Sequence, residues 1–390
     1  MNIVCGVLAC ATVVAAAYLL ILTLLSGRLP LPPASARQVK FDVVVPAHDE
    51  SAVIARTIES LRTIEWPAER WRLIVVADNC SDDTAQVAAR AGAQVIERHD
   101  ERLRAKGYAL EAAFERSLRE GWADAIAVVD ADSVVSRNLL VAMGARVERG
   151  AAAVQAEYGV VNPDSSWRTQ LMTIALGCFH GVRSRARERL GLSAGIRGNG
   201  WCVTITALAT ARYQAVSLAE DVEFGARLAL AGLRVVYAPE AIVRGEMAST
   251  AVAAGPQRRR WEGGRFALIR SLVPPLLSTA IRRRDGVCAD VAFDLLFPPL
   301  SYIVGLIAVL GVLGLWLSSR GAASGPWLQI AVITALAVAA YVARGWQLSG
   351  IGMRGFAALA RAPVFMVWRL GLLLRWRTPV DWIRTPRDRR

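Results

Sequence analysis

The chain has 390 residues, 54% of them hydrophobic, and a formal net charge of +13. That composition excludes a disordered chain and leaves apolar length beyond the needs of one soluble core. The six cysteines, Cys5, Cys10, Cys80, Cys178, Cys202 and Cys288, form no C-x-x-C and no zinc spacing, a pattern that fits reduced thiols in a cytoplasmic setting.

Residues 3–25 carry no charge and suffice to cross about 30 Å of hydrocarbon at about 1.5 Å per residue. A signal peptide is the competing reading, since Ala34-Ser35-Ala36 resembles a cleavage site. Met1-Asn2, however, puts no positive charge ahead of the run, and the run is too long. Two more spans are expected at 295–318 and 326–343, joined by a loop with Arg320, Gly321 and Gly325. Arg28, Arg37 and Lys40 follow the first span, Arg282, Arg283 and Arg284 precede the second, and Arg344 follows the third. The last loop has a single Arg, so the chain between the first two spans is expected in the cytoplasm of a multi-pass protein of the inner (plasma) membrane. The positive charge then meets membrane lipids and phosphate-bearing substrates, with nucleic acid the weaker reading.

Segments 266–284 and 356–377 mix apolar residues with Arg270, Arg282, Arg361, Arg369 and Arg375, and read as helices lying in the membrane surface. Trp368, Trp376 and Trp382 suit a headgroup belt. Packing against the soluble domain is the alternative. The expected division is a membrane helix at 1–27, a cytoplasmic domain at 38–265, an interfacial helix and linker at 266–294, a membrane hairpin at 295–343 and a basic interfacial tail at 344–390.

Between residues 40 and 265, β-branched runs alternate with helical stretches, which points to an α/β layer fold with a mainly parallel sheet. Strands are expected at 41–45, stopped by Pro46, and at 73–76, 94–96, 125–129 and 235–237. Helices are expected at 51–63, at 84–91 before Gly92, at 107–121, and from about 221 to Gly232. Ligands in such sheets sit beyond the carboxyl ends of the strands. No P-loop or G-x-G-x-x-G fingerprint occurs.

Three strands end in polar groups: His48, Asp49 and Glu50; then Asp78, Asn79, Ser81, Asp82 and Asp83; then Asp130 and Asp132. Asp78 is placed to hydrogen-bond a base or ribose, whereas Asp82 or Asp83 caps the helix from Thr84. Asp130 and Asp132, one residue apart, can share Mg²⁺ or Mn²⁺, which would offset charge on a diphosphate leaving group. Glu220-Asp221 opens a helix whose dipole favours an ionised Asp221 able to accept a proton; simple capping is the bland reading. Gln257-Arg258-Arg259-Arg260-Trp261 offers arginines for phosphates and an indole for stacking, or only a basic stretch meeting lipid. Gly198-Asn199-Gly200 is a turn whose backbone can approach a ligand closely, or a loop with no role. His48, His99 and His180 lack metal spacing and read as structural.

In order, these pieces resemble the membrane-bound branch of family 2 glycosyltransferases, which implies a GT-A fold. The resemblance covers residues 41–265. The run Val43-Val44-Val45-Pro46-Ala47-His48-Asp49-Glu50 looks like the family's first strand and loop, implying nucleotide contacts from Pro46, His48 and Glu50. Asp78 matches the uridine-binding Asp, and Lys106-Gly107 a Lys-Gly pair that helps to bind the nucleotide. Asp130 and Asp132 match the metal and diphosphate motif. Gly198-Asn199-Gly200 matches the acceptor-side glycine loop, Glu220-Asp221 the E-D pair whose Asp is the general base, and Gln257, Arg260 and Trp261 the Q-x-x-R-W motif. Ala219 stands where Thr often precedes the E-D pair, which puts a secondary acceptor contact in doubt.

The resemblance implies an inverting, metal-dependent transfer from a nucleotide sugar, UDP being favoured over GDP. Asp221 would deprotonate an acceptor hydroxyl for a single displacement. Three spans make a poor polymer channel, so transfer of one sugar to a lipid or lipid-linked saccharide, in envelope or exopolysaccharide assembly, is expected ahead of a processive synthase of the cellulose or hyaluronan type. A catalytically silent membrane scaffold is the reading from another class, and intact Asp130, Asp132 and Asp221 argue against it.

Overall fold

The computed structural model describes residues 2–214, 217, 219–320 and 326–366, with backbone alone over 251–263 and at 265. Helix α1, Asn2–Leu25, is apolar throughout and is followed by an extended segment that leads into β1, Phe41–Ala47. Then come α2 (Ile54–Arg62), β2 (Trp71–Asp78), α3 (Thr84–Arg90), β3 (Gln94–Arg98), α4 (Lys106–Glu120) and β4 (Ala125–Val128). These four strands form a parallel array in the order β3-β2-β1-β4. Strand β1 does not stop at Pro46 but pairs with β2 as far as Ala47. Its ladder with β4 ends at Val44 opposite Val128, and the missing N–H of Pro46 falls on that side, where no ladder partner is needed.

Past β4 the sheet changes character. Strands β5 (Val134–Val135), β6 (Ala153–Val160), β7 (Trp201–Thr204) and β8 (Val235–Gly245) extend it in the order β4-β7-β6-β8-β5. Strand β7 is antiparallel to both β4 and β6, and β5 to β8, while β6 and β8 run parallel. The eight-stranded sheet is therefore mixed, wholly parallel in its first half and of both kinds in its second. Between these strands lie α5 (Leu139–Val147), α6 (Trp167–Leu176), a π-helical turn Gly177–Val182, α7 (Arg183–Arg189), α8 (Ile205–Thr210) and α9 (Glu220–Leu230). The start of α6 is set by a capping box in which Ser166 and Thr169 bond each other's backbone N–H. Residues Val43, Val45, Ala125 and Ala127 face one core layer, and Val44, Ile74, Ile126 and Val128 face the other. That alternation explains why strands buried on both sides read as continuous apolar runs.

Helix α10 spans Ala251–Arg283 without a break at residue 266, followed by α11 (Gly286–Leu296), α12 (Leu300–Ser319), α13 (Trp327–Ser349) and α14 (Met353–Leu359). Leu268, Leu272 and Leu276 of α10 and Cys288, Ala292 and Leu295 of α11 are buried with Ala226 and Ala229 of α9. The stretch expected to lie in the membrane surface thus packs one face on the α/β domain, while Phe266, Leu277 and Ile281 on it stay exposed. Trp368, Arg369, Arg375 and Trp376 of the expected second interfacial segment lie outside the described residues, as do Trp382, Gly321 and Gly325.

Among the described residues three helices, α1, α12 and α13, are long and apolar enough to cross a membrane. They pack together through Leu19, Leu22, Ile303, Ile307, Leu310, Ala331 and Val338. Helix α13 runs past residue 343 to Ser349, and its last turns dock on the π-helical turn. A Cβ on Gly177 would stand 2.3 Å from the Gly345 carbonyl oxygen, so two glycines permit that contact. Tyr341 donates to the Cys178 carbonyl at 2.9 Å beside it. The apolar helices are in this way joined directly to the α/β domain.

Candidate active site

The carboxyl ends of β1, β2 and β4 open on one cavity of about 1000 Å³. Pro46, His48, Glu50, Asp78, Lys106, Asp130, Asp132, Gly198, Glu220 and Asp221 all line it. Parallel strands that share a direction deliver their loops to one edge, which is why residues scattered along the sequence converge.

Asp78 ends β2 and is 6% exposed. Its Oδ1 accepts from Arg98 Nη1 at 2.6 Å, and the Arg98 guanidinium lies 5.6 Å from the Tyr108 ring centroid. Arg98 therefore fixes the Asp78 carboxylate through one oxygen. His48 Nδ1 lies 2.7 Å from the Asp78 carbonyl oxygen and ties the first loop to the second. Asp49 and Asn79 both adopt positive φ; Asp49 accepts from the backbone N–H groups of Ser81 and Asp82. Asp82, rather than Asp83, accepts from the Thr84 N–H and caps α3. Asp49, Cys80 and Asp82 also cluster closely, but both carboxylates are occupied in holding these loops.

Asp130 and Asp132 follow β4 on either side of the buried Ala131. Asn199, fully buried, spans the motif: its Oδ1 accepts from the Asp130 N–H at 3.0 Å and its Nδ2 donates to Ser133 Oγ at 2.7 Å. Lys106 Nζ lies 2.5 Å from Asp130 Oδ1, donates to the Gly198 carbonyl at 2.7 Å and stands 4.0 Å from Glu220 Oε1. Burial alone would lower the Lys106 pKa, but Asp130, Glu220 and Asp221 outweigh it and raise it. Lys106 thus stays a cation that joins three site segments.

Gly198 and Gly200 have φ of +81° and +68°. A Cβ on Gly198 would come within 3.3 Å of Asp221 Oδ2, and one on Gly200 within 2.6 Å of Val243 Cγ2. The loop is a tight fit, not a slack turn. Asp221 sits in the first turn of α9, where the sequence reading has the helix dipole holding it ionised. Burial dominates instead and raises its pKa, opposed by the Val222 N–H, Lys106 and Arg197. A raised carboxylate is the better proton acceptor near neutral pH.

Gln257, Arg260 and Trp261 lie along α10, and their side chains are outside the described residues. Of the remaining histidines, His180 is buried between the Tyr158 and Phe179 rings, and burial pushes its pKa down to about 3.

Several site residues carry no motif. Gln155, fully buried in β6, donates to the Asn199 carbonyl at 2.8 Å and accepts from the Arg197 N–H at 2.8 Å, pinning the glycine loop. Tyr158 lines the cavity from the same strand. Arg183, Arg187 and Arg197 meet Asp290 and Asp294 of α11 in a buried cluster. A lone Gln inside the apolar run of β6 was the one legible signal for these. The cavity continues past them to Leu19, Phe179, Phe297, Leu300 and Tyr341, so its polar end opens into an apolar one.

The profile described as Glycosyltransferase like family 2 matches residues 38–264, more than half of the chain. The chain belongs to this family of glycosyltransferases. The probable glycosyltransferase YdaM of Bacillus subtilis is 26% identical over 243 residues, 60% of this chain and 57% of that protein. Beta-monoglucosyldiacylglycerol synthase of Trichormus variabilis is 28% identical over 232 residues, 57% of this chain and 48% of the synthase. Cellulose synthase 1 catalytic subunit of Komagataeibacter xylinus is 22% identical over 339 residues, 82% of this chain and 44% of that subunit. The chain spans about half the length of these curated relatives. Among solved structures, the mannosyltransferase PcManGT from Pyrobaculum calidifontis, in complex with GDP-Man and Mn²⁺, superposes with a TM-score of 0.54 at 16% identity, covering 95% of both chains. That likeness shows the shared GT-A fold.

Proposed function

We propose that this glycosyltransferase is an inverting, metal-dependent enzyme that moves a single sugar from a nucleotide sugar to a lipid-linked acceptor at the cytoplasmic face of the inner membrane. The observation that carries the reading is the single cavity in which the three strand-end carboxylates, Asp221 and an apolar mouth beside α1 and α13 are continuous. A water-soluble acceptor would need no such mouth.

Asp78 is assigned to the nucleoside base, oriented by Arg98. Pro46, His48 and Glu50 line the same end and flank the nucleotide. UDP is the favoured nucleotide. The donor set of Asp130 and Asp132, carboxylate oxygens only and facing the cavity, fits Mg²⁺ or Mn²⁺. Bound there, the cation would supply Lewis-acid charge for the departing diphosphate. Lys106 adds fixed positive charge and holds Asp130 against Gly198. Glu220 lies beside Lys106 at the acceptor end.

Asp221 takes the proton from the acceptor hydroxyl as that oxygen attacks the anomeric carbon. Gly198, whose α-carbon faces the Asp221 carboxylate, leaves room for the hydroxyl, and Asn199 and Gly200 hold the loop in place. Gln257, Arg260 and Trp261 are assigned to the donor phosphates and to stacking.

The length of the match to the cellulose synthase subunit favours a second reading, a processive synthase. Donor chemistry is the same in both. The test incubates detergent-purified protein and an Asp221→Asn variant with a panel of nucleotide sugars, Mn²⁺ and a lipid extract. Release of nucleoside diphosphate from one donor, lost on chelation and in the variant, is the expected result. Release that persists in Asp221→Asn would refute the assigned base.

A further inference from the structure

Between the glycine loop and the apolar mouth lies a buried charge cluster. Arg187, 1% exposed, has Nε 3.0 Å from Asp290 Oδ2 and Nη2 2.9 Å from Asp294 Oδ1. Arg183 Nη1 stands 3.3 Å from Asp294 Oδ1, and Arg197 Nη2 3.3 Å from Asp294 Oδ2. Three guanidinium groups thus share the two carboxylates of α11, and the charge of Asp221 also acts on Arg197. Of the other neighbouring charges, Glu157 is paired with Arg185, Glu188 with Arg234, and His180 is buried.

Of the three, Arg183 is the one with donors to spare. It is 6% exposed, yet its Nε and Nη2 have no hydrogen-bond partner among the described residues. Buried donors of this kind are normally satisfied. Arg183, Arg197 and Asp294 all line the cavity. On one side Arg197 adjoins Gly198, whose α-carbon faces the Asp221 carboxylate. On the other the Arg183 guanidinium is boxed by the rings of Phe297, Phe179 and Tyr18 at 4.8, 5.2 and 5.8 Å. Leu19, Leu300 and Tyr341 continue that wall.

A ligand that satisfies both halves has an anionic head and an apolar tail. We propose that Arg183, with Arg197 beside it, holds the phosphate of a lipid phosphate or diphosphate, which makes the acceptor an anionic lipid and not a neutral one. This deepens, and rests on, the reading of the chain as a lipid-directed glycosyltransferase. Arg187 and Asp294 are the scaffold that keeps the two arginines in place, because Asp294 touches all three guanidinium groups.

The test is binding to the full-length protein in neutral detergent, which needs no turnover. Farnesyl phosphate, farnesol and inorganic phosphate are titrated, and UDP and GDP with Mn²⁺ are titrated separately. Farnesyl phosphate should bind at least about tenfold more tightly than farnesol, a bidentate guanidinium contact being among the stronger hydrogen bonds. Arg183→Gln should erase that preference and leave nucleotide binding unchanged, and Arg183→Lys should restore part of it. Should Arg183→Gln melt below the assay temperature, the comparison of farnesyl phosphate with farnesol on the wild type and on Arg183→Lys decides. Equal binding of the two lipids overturns the proposal, as does a preference that survives Arg183→Gln. Inorganic phosphate competing as well as farnesyl phosphate would make this a free-phosphate site and would also overturn it. A wild type that binds neither nucleotide would count against the transferase reading itself, separately from the lipid arm.

Discussion

Lys106 Nζ stands 2.5 Å from Asp130 Oδ1 and donates to the Gly198 carbonyl at 2.7 Å, so one ammonium group ties the loop after β4 to the glycine loop. It also lies among the groups that hold down the Asp221 pKa. With Asp221 as the proposed base, turnover needs it ionised, so activity should be full above its pKa and lost as pH falls through it. Burial raises that pKa above the ordinary 3.8, and the acid limb of kcat should lie correspondingly higher. Lys106→Gln removes a charge that lowers the Asp221 pKa and should move the limb to higher pH while weakening donor binding. A pH profile of kcat for both proteins checks the sign; a limb that moves to lower pH would contradict it.

Loss of the proposed base should separate binding from chemistry. Asp221→Asn keeps the shape of the side chain and the fit against Gly198. It should lower kcat by about 10²–10⁴-fold, the usual worth of general-base help, with donor affinity changed less than about threefold. Single-turnover kinetics beside equilibrium binding of UDP with Mn²⁺ measures both.

Asn199 offers a test of the scaffold. Its amide satisfies the Asp130 N–H and Ser133 Oγ from a fully buried position. Asn199→Ala leaves those groups without that partner and should cost about 1–3 kcal/mol. A lowered Tm together with weaker Mn²⁺ binding is expected. Weakened Mn²⁺ binding without a change in Tm would instead point to direct ligation.

Gly200 is required for space and for φ. A methyl group there meets Val243 Cγ2 at 2.6 Å, on a backbone with φ of +68°. Gly200→Ala should destabilise by about 1–3 kcal/mol. Pairing it with Val243→Ala should recover part of the loss, the part due to the clash and not to φ, and denaturant melts of the four proteins apportion the two.

Much of the first half of the fold was legible because strands 73–76 and 125–129 are unbroken apolar runs and 41–45 is broken only by Asp42, each bounded by polar loops. The GT-A assignment was legible in motif order. Strand β6 was not, since Gln155 and Glu157 interrupt its hydrophobic pattern, and Gln155 is polar for a reason only the fold shows: it holds the glycine loop. Strand β7, four residues long and starting directly after the glycine turn, was not among the expected strands. The dipole argument for Asp221 missed burial, which depends on residues distant in sequence. The Arg183, Arg187 and Arg197 cluster was invisible for the same reason, its carboxylates lying about a hundred residues downstream on α11.

The central claim, transfer of one sugar to a lipid, is met most directly by the size of the product. Purified protein with its active nucleotide sugar, Mn²⁺ and a membrane lipid extract yields material that mass spectrometry resolves by sugar increments. A single new species in the lipid fraction, heavier by one sugar and absent with Asp221→Asn, is the expected result. A ladder of water-soluble polymer would contradict single transfer and make this family member a processive synthase.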